Sequence, residues 1–370
     1  MADVFKYGHS NASQWREAAL ACLAQIGEVP TTANLGFIYV TDSLAPHLSE
    51  MLDFIKAATG IAHWVGSTGV GICSTGREYL DQPAVAIMLG AFPQNTFHVF
   101  ATIRDPDDIA GEVSVGDNPA YFGIVHGDPQ NQNVAALIEH FAAKMESGFV
   151  VGGLTSSRNQ NLQVADEITQ GGLSGVVFSS DVAVATRLTQ GVSQLGRQHE
   201  VTECDNNVLV RIDGRPAFDV LKEEIGEVLS RDLKRVAGYI FVGLPVPGSD
   251  TGDYLVRNII GIDVERKLIA VGEYLQPGMQ LMFCRRDGAS AIDDMQRMLT
   301  GIKSGLTSAP KGAVYYSCLG RGESLFGPDS EELKMISRAL GEIPLVGFFA
   351  NGEISHNRLY GYTGVLTVFL

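Results

Sequence analysis

The chain is short of the features that would tie it to nucleic acid, a membrane or an oxidising compartment. It has five cysteines in 370 residues: Cys22, Cys73, Cys204, Cys284 and Cys318. The odd number and wide spacing argue against a disulfide framework or a zinc knuckle and suit a reducing compartment. Basic residues are scarce, 27 against 42 acidic, for a net charge of −15. With no cluster of Lys and Arg, a phosphate-binding surface is not expected. No apolar run approaches the ~20 residues of a membrane span. No cationic stretch followed by an apolar core opens the chain, so a cytoplasmic protein is expected. The glycines near Gly66 do not follow the dinucleotide fingerprint, and there is no Gly-Lys-Ser/Thr for a phosphate loop. Low-complexity segments are absent too.

What is present is a repeat. Three stretches read as strand, helix, strand, strand. The first has a strand at Leu35–Val40, a helix at Pro46–Thr59 and a strand at His63–Gly69. The second has Tyr121–His126, Asn133–Ser147 and Phe149–Thr155. The third runs from Gly312 through a helix at Asp329–Leu340 and a glycine-interrupted strand to a last strand at Tyr362–Leu370. Gly66 and Gly152 stand 86 residues apart, as do Ile38 and Ile124, and Gly347 is the third mid-strand glycine. Each helix stops at a glycine: Gly60, Gly148 or Gly341, where a left-handed residue is easiest without a Cβ. Leu48, Met51, Leu52 and Ile55 form an apolar stripe that Val134, Leu137, Ile138 and Phe141 repeat.

Two strands follow each helix, and hairpins are frequent. The expected fold is therefore α+β: mixed or antiparallel sheets of repeated β-α-β-β units, with helices packed outside. Residues 1–34 form a helical extension. Pro216 suits the first turn of a helix from Ala217 to Leu233, which marks a boundary between domains 35–232 and 233–370. Beyond it a Pro/Gly-rich loop runs to Gly252.

The residues Cys318-Leu319-Gly320-Arg321-Gly322, Gly347-Phe348-Phe349-Ala350-Asn351-Gly352-Glu353-Ile354 and Gly361-Tyr362-Thr363 resemble the C-terminal FIST domain (F-box and intracellular signal transduction). Val65-Gly66 through Cys73-Ser74-Thr75-Gly76, Gly171-Gly172-Leu173-Ser174-Gly175 and Arg215-Pro216-Ala217 resemble the N-terminal one. The resemblance implies a sensory ligand-binding module rather than an enzyme. Small molecules such as amino acids are its proposed ligands, and one subgroup is similar to haem proteins that sense nitric oxide and regulate a kinase. With no kinase or cyclase segment in these residues, a sensor would act through a separate partner such as a histidine kinase or diguanylate cyclase.

Polar residues that leave the glycine-interrupted strands at matching places are the candidate ligand contacts: Ser67, Thr68, Thr155, Asn351 and Glu353. They would line a pocket where the repeats meet; the alternative use of those glycines is close packing. Arg321 could hold a carboxylate through two hydrogen bonds, with Glu323 or Glu353 taking an ammonium, or could form an internal ion pair. Cys318, Cys73 and Ser74 belong to the same set. Cys318 would be a nucleophile only beside a base. Haem needs an axial ligand such as histidine; His199 is the first candidate and His126, at a strand end, the second.

Overall fold

A computed structural model describes residues 5–230, 236, 238–246 and 253–370. The boundary at 232–233, the end of the helix expected to reach Leu233, and the Pro/Gly-rich stretch 247–252 lie outside the described residues. Strand outweighs helix, 43% to 24%, in several mixed and antiparallel sheets with helices, an α+β fold. The chain divides into two compact units, residues 1–189 with 293–370, and residues 190–292.

The first unit contains the three repeats, each built on a sheet of the same design. Leading strands Leu35–Thr41, Phe122–Gly127 and Gly312–Cys318 run parallel to second strands His63–Gly69, Phe149–Leu154 and Leu345–Ala350. A parallel neighbour requires a crossover, and helices Leu48–Thr59, Val134–Ala143 and Glu331–Leu340 supply it. Return strands Val85–Gly90, Leu173–Phe178 and Thr363–Phe369 lie antiparallel on the other side of the leading strands. Edge strands Lys6–Ser10, Phe97–Ile103 and Val184–Gln190 flank them.

Between its second and return strands, each repeat makes a hairpin that joins a different sheet. The hairpin of repeat one, Gly71–Ser74 with Arg77–Leu80, pairs with the second strand of repeat three. That of repeat two, Gln163–Ala165 with Glu167–Thr169, pairs with repeat one. That of repeat three, Glu353–His356 with Arg358–Tyr360, pairs with repeat two. The exchange is a closed ring, so all three sheets have the same six-strand order.

The mid-strand glycines are required by this pairing. Gly66, Gly152 and Gly347 lie in register with Ile38, Val125 and Tyr315 of the parallel leading strands. A Cβ on them would stand 1.7, 1.8 and 1.7 Å from the carbonyl oxygens of those same residues. The glycines therefore serve close backbone packing and do not open a pocket. The register also makes Val125, not Ile124, the counterpart of Ile38.

One residue further along each leading strand stand Tyr39, His126 and Tyr316, all without exposure. They meet: the Tyr39 hydroxyl lies 3.1 Å from His126 Nε2 and 2.8 Å from the Tyr316 hydroxyl. The ring of Phe348 stacks on Tyr39 at 5.5 Å. The place where a shared hollow is expected from the sequence is filled by these side chains and by the apolar core around them.

The second unit is a closed antiparallel barrel. Its strands follow the order Val192–Asp205, Gln280–Arg286, Ile240–Pro245, Tyr254–Asp263, Leu268–Val271 and Val208–Ile212, and the last pairs with the first. Helix Ala217–Ser230 packs Phe218, Leu221 and Ile225 against Val201, Leu209 and Phe283.

Candidate buried arginine site

Residues on alternate positions of a strand share a face, so the layer between sheet and helix can be compared across repeats. In repeat one, Ile38 and Val40 pack in one core with Leu48, Met51, Leu52 and Ile55 of the helix. In repeat two, Val125 packs with Val134, Leu137 and Ile138. The matching positions of repeat three are Tyr315 and Ser317, and the helix facing them carries Glu332, all without exposure.

Glu332 gathers five hydrogen bonds. Oε1 accepts from the Tyr315 hydroxyl (2.6 Å), Ser317 Oγ (3.1 Å) and Arg321 Nε (2.8 Å). Oε2 accepts from the Gly322 backbone N–H (2.9 Å) and from Ser317 Oγ (3.2 Å). Arg321 and Glu332 form an ion pair whose side chains have no exposure. Burial works against the Arg321 charge, but the Glu332 carboxylate outweighs it and the guanidinium stays protonated. The planar group lies over the Phe326 ring, 4.8 Å from its centroid, in a cation–π contact.

Nε of Arg321 is used. Among the described residues, Nη1 and Nη2 find no hydrogen-bond partner. Two further carboxyls stand in the cluster, each with one oxygen in the same condition. Glu78, from the hairpin that repeat one contributes, accepts from the Glu323 backbone N–H through Oε1 (2.9 Å), while Oε2 has no partner. Glu353 accepts from the Thr363 backbone N–H (3.1 Å) and hydroxyl (2.7 Å) through Oε2, while Oε1 has none. Burial, followed by the charge of Glu332, pushes Glu78 up to about 8. Burial pushes Glu353 up to about 8 against the pull of Thr363, Arg321 and Cys318. Both are therefore mostly neutral acids at pH 7 and can donate through a carboxyl proton.

The structure thus brings together Arg321, Glu353, Cys318 and Cys73. Burial and then Glu353 hold the Cys318 thiol up at about 12, and burial with Glu332 and Glu78 raises Cys73 well above its ordinary value. Such thiols carry almost no thiolate, the form a nucleophile needs. Ser74 is buried next to Cys73 with its hydroxyl unpartnered among the described residues. The other candidates separate from this group. Ser67 and Thr155 bond each other at 2.9 Å, and the Thr68 hydroxyl bonds the Leu162 carbonyl at 3.2 Å; these are packing contacts between repeats one and two. Glu323 and Asn351 are exposed; Glu323 bonds the cluster through its backbone N–H, and its charge adds to the upward push on Glu78. The sequence reading missed Glu78, Glu332, Tyr315 and Ser317. The available signal was Glu332 itself, which stands on the apolar stripe of Ile336 and Leu340 at spacings of four.

A haem fits neither histidine. His199, in the barrel, is 3% exposed. Its Nδ1 lies 2.8 Å from Asp213 Oδ2 and its Nε2 lies 3.1 Å from Glu224 Oε1, so both nitrogens are engaged. His126 sits without exposure in the packed centre with Nε2 bonded to Tyr39; burial lowers it to about 3. Among the described residues no helix is long and apolar enough to cross a membrane.

Sequence comparison assigns this architecture to a family. The FIST N domain matches residues 34–215 and the FIST C domain matches residues 217–356. The chain belongs to the FIST family. This FIST protein is 30% identical to an uncharacterized protein of Mycobacterium tuberculosis, over 98% of both chains. It is 28% identical to an uncharacterized protein of Mycobacterium bovis, over 96% of both. FIST domains are associated with sensory signal transduction and small-ligand binding.

Proposed function

We propose that this FIST protein is a small-ligand sensor rather than an enzyme. Its ligand is a carboxylate-bearing small molecule of the class that includes amino acids, held by Arg321. It signals through a separate partner such as a histidine kinase or a diguanylate cyclase, in the cytoplasm. The observation that carries this reading is the guanidinium of Arg321, fully buried, with two terminal nitrogens that no described residue satisfies. A buried polar group left unmatched costs about 1–3 kcal/mol, so a fork of this kind needs an occupant, and a carboxylate matches it in a bidentate pair. The high-lying thiols of Cys318 and Cys73 support binding over catalysis.

The segment that carries Arg321 includes the exposed residues Glu323 and Ser324. Residues 319–330 hold the arginine and the short helix Glu323–Phe326, and bend through positive φ at Gly322, Gly327, Asp329 and Ser330. Five bonds fasten it to its surroundings: Leu319 N–H to the Ala350 carbonyl (3.1 Å), Arg321 Nε and Gly322 N–H to Glu332, Glu323 N–H to Glu78, and the Glu78 N–H to Ser330 Oγ (3.0 Å). A ligand that closes this segment over itself would give a partner two states to distinguish.

A thermal-shift screen of small carboxylic acids and amino acids tests the proposal. A ligand at a hundred times its Kd stabilises the folded state by about 2.7 kcal/mol and raises the melting temperature. A screen in which no such molecule moves the transition would overturn it.

A further inference from the structure

The same cluster narrows the ligand, resting on the proposal above. Three of its ionisable side chains leave polar atoms open among the described residues. Arg321 offers two terminal nitrogens, and Glu78 and Glu353 each offer one oxygen. Glu332, the carboxylate that balances Arg321, is already filled by donors from Tyr315, Ser317, Arg321 and Gly322. Glu78 is faced by Glu332, by Glu323 and by Cys73; Glu353 is faced by Arg321, Cys318 and Thr363. Among the described residues neither has a basic side chain bonded to it.

Charge counting then separates two kinds of guest. A ligand with one carboxylate leaves three charges buried: Arg321, Glu332 and itself. An amino acid brings an ammonium as well, and that ammonium requires Glu78 or Glu353 to ionise beside it, which leaves five. Each charge removed from water costs several kcal/mol unless its pairing is complete. With both acids neutral, the open corners are donors: four N–H on Arg321 and a carboxyl proton on each glutamic acid. Donors call for a guest rich in acceptors.

We infer that the ligand is a small monoanionic 2-oxo or 2-hydroxy acid, its carboxylate on the Arg321 fork and its second oxygen on a glutamic acid proton of Glu353 or Glu78. Recognition by donors excludes the ammonium group. The site discriminates an oxo acid from the amino acid of the same carbon skeleton.

Titration calorimetry of the full chain tests this with glyoxylate, pyruvate and lactate against glycine and alanine. The expected result is that at least one of the three acids binds at pH 7 at least about tenfold more tightly than either amino acid, the discrimination of one buried polar mismatch. Affinity should fall above pH 8, where Glu78 and Glu353 ionise and compete for Arg321. Glu353→Gln, which keeps a donor at that corner and cannot ionise, should still bind the acid with a smaller loss above pH 8. Glycine or alanine binding more tightly than the acids, with that binding lost in Glu353→Gln, would overturn the inference and leave the sensor proposal standing. No heat and no thermal shift from either class would overturn both.

Discussion

Repeats one and three share a strand order and differ in the layer under the helix. In repeat one that layer is Ile38 and Val40 against an apolar helix; in repeat three it is Tyr315 and Ser317 against Glu332 and Arg321. An apolar layer contributes about 25 cal/mol for each Å² removed from water and asks nothing of geometry beyond fit. A buried ion pair breaks roughly even at best, so repeat three gives up stability that repeat one keeps. A second contrast sharpens this. Arg158, past the second strand of repeat two, uses Nε, Nη1 and Nη2 on Asp42 and Asp81 and is 56% exposed. Among the described residues Arg321 uses one nitrogen of three, and it is closed off. The first arginine is a surface clamp and the second is the binding group we propose.

The largest effect expected is from removing Glu332. Glu332→Ala strands the buried Arg321 and the donors that meet on the carboxylate, and should cost about 3–5 kcal/mol by urea unfolding. Ile38→Val, the corresponding small change in repeat one, should cost about 0.5–1.5 kcal/mol. Equal losses would contradict the contrast.

Next come the strand glycines. Gly66→Ala, Gly152→Ala and Gly347→Ala each drive a Cβ into a carbonyl oxygen below 2 Å, and should each cost about 3 kcal/mol. A tolerated alanine at one of them would mean that repeat does not pack as the other two do.

The pH dependence has two limbs. Glu78 and Glu353 are raised from 4.5 to about 8. Their neutral folded forms contribute stability that is complete below pH 4.5 and lost as pH rises through 8, because the unfolded chain ionises first. His126 is lowered from 6.5 to about 3, so its contribution is present above pH 6.5 and lost as pH falls toward 3. The alkaline slope belongs to the Arg321 cluster and should flatten in Glu353→Gln; the acid slope belongs to the centre and should flatten in His126→Gln. Unchanged slopes in urea midpoints would reject those assignments.

Much of this was legible in the sequence. The three repeats, their helices and the mid-strand glycines were readable because each has a local period. The exchange of hairpins was not. Nothing in Gly71–Ser74 says that its partner strand lies more than 250 residues away, at Val346–Phe348. The site was half legible for the same reason: Arg321 and Glu353 stand out in glycine-marked stretches, while Glu78 reaches the cluster only through that exchange. Glu323, the nearer acid in sequence, is turned out to solvent. The sequence around His199 points to an axial ligand, but the fold gives both its nitrogens to Asp213 and Glu224.

The smallest effects should come from the clamp and the exposed candidates. Arg158→Met should cost about 1–2 kcal/mol, since it leaves the buried Asp42 carboxylate short of donors. Asn351→Ala should stay within about 0.5 kcal/mol.

The decisive measurement is calorimetric titration of small carboxylic acids into the wild type, Arg321→Lys and Arg158→Met, each confirmed folded by its melting transition. Saturable binding that weakens at least about tenfold in Arg321→Lys, where the bidentate fork is lost, and persists in Arg158→Met is the predicted result. Binding that survives intact in Arg321→Lys would contradict the assignment of the buried arginine as the ligand site.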